Sequence, residues 1–244
     1  LGRVFVTYYK FIGPDTKYGF KYSTNGGLSF SPEQTVSLNP PASQPPEVLN
    51  CLSSVSIPAA GSNGMVAIAY NDNISSSIAI KIGIPNPSGS YSFTDGTPIS
   101  VPLGCLSTFG GLNAATYPMM VVDNNNYIHL VYSNNSASGK WQIYYKKSVD
   151  LGETWISYPT PLGDFTGGNT IQPTIAVDEN NAISISFYHV TEDNHIDYCG
   201  GIEQAIARAW EYVQKKKPGL KIEVETRNIE DVKTIEFYID KTSP

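Results

Sequence analysis

The chain has 244 residues, a formal net charge of −6 and only 16% charged residues. So few Lys and Arg offer neither nucleic-acid phosphate nor anionic lipid a basic surface to meet, so both partners are excluded. With 21 Gly, 17 Pro and 16 Tyr, the chain is rich in turn and strand formers, which predicts a mainly β fold of many short strands. It has no run of 18 apolar residues and opens without a signal-peptide pattern, so no membrane-spanning helix is expected.

In chain order, four alternating segments end on an aromatic: Val4 to Tyr8, Val66 to Tyr70, Ile128 to Tyr132 and Ile183 to Phe187. Their spacings are 62, 62 and 55 residues, which marks an internal repeat. A short apolar strand and a polar turn precede each of the last three, namely Ser54 to Ala59, Tyr117 to Asp123 and Gln172 to Asp178. A third strand follows each of the four. Labelled A to D, these strands form a unit of about 60 residues, as in a β-propeller blade. Residues 1–199 are expected to start at strand B of one blade and to reach strand C of a fourth, giving a partial propeller of about three and a half four-stranded blades.

The pattern stops at Gly200-Gly201. Residues 202–244 hold 16 of the chain's 38 charges. Ile202, Ile206, Ala209 and Val213 form one helical stripe that ends at Pro218-Gly219, and two alternating strands follow. Residues 200–244 are therefore read as an α-β-β tail, either natural or fused by recombination, which packs on the propeller edge or on another chain. Cys51 and Cys105 sit in similar contexts, so a disulfide between them is considered, while two sequons, at Asn73 and Asn134, fit an extracellular or cell-surface protein.

Ser148, Asp150, Gly152, Thr154 and Trp155 spell S-x-D-x-G-x-T-W, and Ser23, Asn25, Gly27, Ser29 and Phe30 repeat it in altered form. This pattern resembles the Asp-box, or BNR repeat, of sialidase-like β-propellers. The resemblance implies that the box joins strands C and D on the face away from the ligand, as scaffold. The Asp carboxylate would accept backbone N–H groups across a turn that Gly152 makes accessible, and Trp155 and Phe30 would pin it by apolar area. It also implies that ligands meet the D–A and B–C connections, here Asn39 to Cys51, Pro102 to Tyr117, Pro161 to Gln172 and the segments around Asp15, Asp72, Asn134 and Glu192.

A sialidase of the family that this chain resembles needs three arginines gripping the substrate carboxylate. Before the tail there is one, Arg3. The expectation is thus a non-catalytic module that binds glycan or protein, with part of a glycoside hydrolase and an edge-capped chimera as alternatives. Carboxylates in the ligand-side loops (Asp15, Asp72, Asp164, Glu192, Asp193) are read first as solvated turn residues, and His189 and His195 as surface histidines. Tyr9, Asp15, Asp72, Tyr188, His189 and Asp193 are the candidate contact residues. No metal or cofactor is expected, and open strand edges favour either a cap or a homodimer.

Overall fold

The computed structural model describes residues 2–12, 15–39, 56–72, 77–101, 107–109, 112–135, 139–158, 161–162, 167–192, 196–199, 222–229 and 232–239. Among these residues every regular element is a strand. The first sheet is an antiparallel meander of β1 (Val4–Ile12), β2 (Asp15–Ser23) and β3 (Gln34–Asn39). The second runs β4 (Ala59–Ala60), β5 (Val66–Asp72), β6 (Ser77–Pro85) and β7 (Tyr91–Asp95), with β8 (Ile99–Ser100) also pairing β6. After the hairpin of β9 (Ser107–Phe109) and β10 (Leu112–Ala114), the third sheet runs β11 (Met119–Val122), β12 (Ile128–Asn135), β13 (Trp141–Ser148) and β14 (Ile156–Ser157). The fourth holds β15 (Asn169–Val177), β16 (Ile183–Val190) and β17 (Ile196–Cys199).

These are the expected blades in the expected phase: strands B to D, two complete units, then A to C. Two connections differ from their reading as loops. The stretch from Pro102 to Tyr117 contains the β9–β10 hairpin, and β15 begins at Asn169, three residues before the predicted end of its loop. Three-residue strands are too short to leave a periodic signal.

The sheets stack face to face because each B strand alternates two kinds of side chain. Val66, Ile68 and Tyr70 face the first sheet, where they join Tyr18 and Phe20. Ile128, Leu130 and Tyr132 face the second sheet's Ala67, Ala69, Ile78 and Ile80. Ile183, Ile185 and Phe187 face the third sheet's Val131, Ile143 and Tyr145. Each buried Ile or Leu in these rows contributes about 1.5–3 kcal/mol. Val4 and Val6 hold the same positions on the first sheet, yet they are 36% and 37% exposed.

In the tail, β18 (Ile222–Ile229) and β19 (Val232–Ile239) form an antiparallel hairpin. β19 joins the fourth sheet, with Cys199 opposite Glu236 and a short parallel pairing of Ile183 with Val232. The expected helix, Cys51 and Cys105 lie outside the described residues.

Candidate functional site

The B–C and D–A connections leave one end of the stack, and the A–B and C–D turns leave the other. On the B–C side the anticipated residues occupy three sheets. Tyr9 lies in β1 opposite Tyr18, and Asp15 opens β2 opposite Ile12. Asp72 ends β5 opposite Ser77 and is half-buried. Tyr188, also half-buried, packs on the cluster of Ala114, Trp141, Ile171 and Val190. His189 is buried rather than at the surface, and its Nε2 donates to the carbonyl of Gly167 across 3.1 Å. Asp193, Asp164 and His195 lie outside the described residues.

Side chains brace this end between neighbouring sheets. Thr7 Oγ1 donates to Ser56 O (2.8 Å) and Asn71 Nδ2 to Thr116 O (2.7 Å), while Ser133 Oγ donates to Ala115 O (2.7 Å) within the third repeat, ahead of β11. Lys140 Nζ stands 3.6 Å from Glu192 Oε1 at the rim between the third and fourth sheets. Among the described residues no three His, Cys, Asp or Glu side chains are grouped to hold a metal ion.

At the opposite end the two S-x-D-x-G copies have one geometry. Ser148 Oγ donates to Asp150 Oδ1 (2.8 Å) and accepts Gly152 N–H (2.8 Å), while Asp150 Oδ1 accepts Thr154 N–H (2.9 Å). Ser23 Oγ likewise donates to Asn25 Oδ1 (2.8 Å) and accepts Gly27 N–H (2.9 Å), while Asn25 Oδ1 accepts Ser29 N–H (3.0 Å). The last bond reverses with chemistry: Thr154 Oγ1 donates to the Asp150 carboxylate, whereas Asn25 Nδ2 donates to Ser29 Oγ. Both turns need two consecutive left-handed residues, Leu151-Gly152 in one and Gly26-Gly27 in the other.

These bonds favour the charged form of Asp150, whose pKa is lowered to about 2, chiefly by the Thr154 hydroxyl, then by the Thr154 N–H and the Ser148 hydroxyl. On the outer face of the first sheet Glu33 is held at about 2 by Lys17, Tyr8 and Lys10, while burial and the Glu33 carboxylate push the Tyr8 phenol up to about 12. Trp155 packs against the cluster between the second and third sheets, whereas its counterpart Phe30 is 44% exposed.

Sequence reasoning missed a second repeated device, in the A–B turns. Gly64, Asn126 and Asn181 are all left-handed, with φ of 85°, 62° and 64°. Each turn closes with the same backbone pair, as in Asp123 N→Tyr127 O (3.0 Å) and Asn126 N→Asp123 O (2.9 Å). Asn126 Oδ1 accepts Ser62 Oγ–H (3.2 Å) and Asn63 N–H (3.3 Å) of the preceding sheet, and Asn181 Oδ1 accepts Asn124 N–H (2.8 Å). The signal available was an Asn two residues before strand B in successive repeats.

No protein-family model matches the chain, and no curated protein matches it. Similar solved structures include a Trypanosoma rangeli sialidase in complex with the inhibitor DANA, at 15% identity, TM-score 0.48, 82% of this chain and 34% of that one. The K499G mutant of the NanB sialidase of Streptococcus pneumoniae is similar at 14% identity, TM-score 0.45, 78% of this chain and 27% of that one. A fucose lectin from Kordia zhangzhouensis in complex with methyl-fucoside follows at 16% identity, TM-score 0.38, 62% of this chain and 92% of that one. The chain thus spans 34% or less of these two sialidases' own length, and no residue role is carried over from either.

Proposed function

We propose that the chain is a non-catalytic, sialidase-like propeller module that takes a glycan or a protein segment at its B–C and D–A corners. The observation that carries this reading is where the single pre-tail arginine lies. Arg3 sits beside Gly64, in the A–B turn at the opposite end of the sheets from those corners. A guanidinium cluster that grips a substrate carboxylate therefore has no arginine of residues 1–199 to build on at the corner end. Tyr9, Asp15, Asp72, Tyr188 and Asp193 are the proposed contact residues, Tyr9 and Tyr188 through the flat faces that tyrosines offer to sugars. His189, buried against Gly167 O, supports Tyr188 from within the sheet. The two S-x-D-x-G turns are assigned to the scaffold, and two sequons favour a location outside the cytoplasm.

A glycan array probed with the labelled chain tests this. Saturable binding that falls at least tenfold in Tyr188→Ala or Asp72→Asn, with the melting temperature kept, supports the reading. Binding that both variants retain rejects these contact residues, and no binding at all rejects the glycan and leaves the protein segment as the ligand to test.

The exposed row of Val4 and Val6 favours a second reading, because its counterparts on the other three sheets are buried. A further sheet would cover it, either in a larger glycoside hydrolase whose other sheets supply the arginines or in a homodimer paired through the open edge. Turnover of a fluorogenic sialoside supports the hydrolase, and a particle near 53 kDa, about twice the chain mass, in light scattering supports the dimer. The pairing of β19 with β17 supports a tail that caps the other edge, whether natural or fused. Loss of solubility after removal of residues 202–244 would agree with that role, and an intact, soluble product would count against it.

A further inference from the structure

Strand β13 turns a different face to each of its neighbours. Ile143 and Tyr145 pack toward the fourth sheet, whereas Tyr144 packs toward the second. The two-residue period sets Lys146 on the Tyr144 face. Its cross-strand partner in β14 is Ser157, and Trp155, two residues before Ser157, is its diagonal neighbour. Trp155 packs on the same cluster as Tyr144, and the second sheet answers this face with Ile78, Ile80 and Ile82. Lys81, which alternates with those isoleucines, pairs instead with Asp95.

Lys146 is therefore a half-buried amine on an apolar stripe. Its Nζ donates to the Ser157 hydroxyl. Among the described residues no carboxylate pairs with it, whereas Lys10, Lys17, Lys81 and Lys140 each have one. Lys147, the next residue, lies over the Tyr127 ring. The carboxylate nearest in sequence, Asp150, is already bonded to Ser148 and Thr154. A neutral hydroxyl does not hold a proton on an amine as a carboxylate does, and burial lowers the pKa of Lys146 from its ordinary value.

We infer that Lys146 is a nucleophilic amine site for small aromatic aldehydes. The amine lone pair adds to the aldehyde carbon, both amine hydrogens leave with the carbonyl oxygen as water, and a C=N bond joins Nζ to the ligand. Tyr144 and Trp155 supply aromatic surface on the same face, which favours an aromatic aldehyde over an aliphatic one. The site uses none of the corner-side contact residues and is independent of the reading above.

The test treats the folded chain at neutral pH with benzaldehyde and sodium cyanoborohydride, and maps the adducts by peptide mass spectrometry. The reagent delivers a hydride to the imine and fixes it as a stable N-benzyl lysine. Early in the reaction Lys146 should be labelled roughly fivefold or more faster than Lys17 and Lys81, which are also half-buried but lie beside carboxylates. Ser157→Asp places a carboxylate beside the amine at an exposed position and should remove that lead, while Ser157→Ala should keep it. Propanal in place of benzaldehyde should give Lys146 a smaller lead. The proposal is overturned if Lys146 is labelled no faster than those two lysines, if folded Ser157→Asp keeps the lead, if Ser157→Ala loses it, or if propanal gives the same lead.

Discussion

The indole N–H of Trp155 donates to the carbonyl of Thr97 across 3.0 Å. Thr97 returns two bonds, its N–H to Gly152 O (2.8 Å) and its hydroxyl to Glu153 O (2.6 Å). One residue between β7 and β8 of the second sheet is thereby fastened three times to the C–D turn of the third. The turn is a clasp between sheets as well as a local hydrogen-bond ring, and Trp155 supplies both its apolar anchor and one of its bonds.

Replacing Trp155 by Phe keeps most of the ring area and removes the bond, at a cost of about 1 kcal/mol. Trp155→Ala removes both, at about 2–3 kcal/mol, less than a fully buried Trp would cost because this ring is partly exposed. Phe30→Ala, at the matching exposed position, should cost less than about 1 kcal/mol. Urea unfolding midpoints at one m-value check the order, and equal losses at positions 30 and 155 would remove the clasp from the account.

Asp150 and Asn25 are a natural substitution pair within one chain. Asp150→Asn should therefore keep the turn, with the introduced carboxamide donating to the Thr154 hydroxyl as Asn25 Nδ2 donates to Ser29 Oγ. Asp150→Ala cannot, and its melting temperature at neutral pH should fall by roughly 3–6 °C. The sign with pH follows from the lowered folded-state pKa. The carboxylate's contribution is complete above its ordinary value of 3.8 and is lost as pH falls through about 2. The gap between wild type and Asp150→Ala should narrow over that window in thermal melts, and a gap that widens toward acid would contradict the assignment.

The Asn ladder separates backbone strain from bonding. Asn126→Gly keeps the left-handed turn and loses only the bonds to Ser62 and Asn63, about 1 kcal/mol. Asn126→Ala loses the bonds and adds the left-handed penalty of a β-carbon without a compensating side chain, for about 2 kcal/mol or more in total. Chemical denaturation of both variants should rank Ala below Gly, and the reverse order would mean that the turn tolerates any residue.

Much of this architecture was legible in the sequence, because the blade rows obey strict alternation and end on an aromatic each time. Val66, Ile68 and Tyr70 declare one buried face, and the phase of all four units follows from that row. The C–D turns were legible because Ser, Asp or Asn, and Gly have fixed chemical duties there. The A–B ladder was not read, since Asn124, Asn125 and Asn126 look like generic turn residues by type, and only the position shared by Asn126 and Asn181, two residues before strand B, marks which one bonds to the preceding sheet. His189 reads as a surface residue because a polar side chain at a loop margin suggests exposure, whereas the Gly167 carbonyl, just ahead of the paired strand β15, gives it a buried partner. The difference between Trp155 and Phe30 was equally hidden, because it depends on whether a neighbouring sheet is present rather than on the turn itself.

A last prediction concerns His129, which is 2% exposed between two partners that no sequence pattern linked. Its Nδ1 lies 2.6 Å from the Tyr145 hydroxyl and its Nε2 3.3 Å from Asp123 Oδ2, while Asp123 Oδ1 accepts the N–H groups of Asn125 and Tyr127. The arrangement is satisfied by a neutral imidazole, with Nε2–H donating to Asp123 and Nδ1 accepting from Tyr145. Tyr145→Phe deprives a buried ring nitrogen of this donor and should cost about 1–2 kcal/mol, and His129→Leu, which strips a bond from both partners, about 2–3 kcal/mol. Because each change breaks the same contact, the double variant should cost about 1 kcal/mol less than their sum. Additive losses in urea titrations would mean that the short Tyr145–His129 contact contributes no coupling, and that Asp123 alone holds the ring.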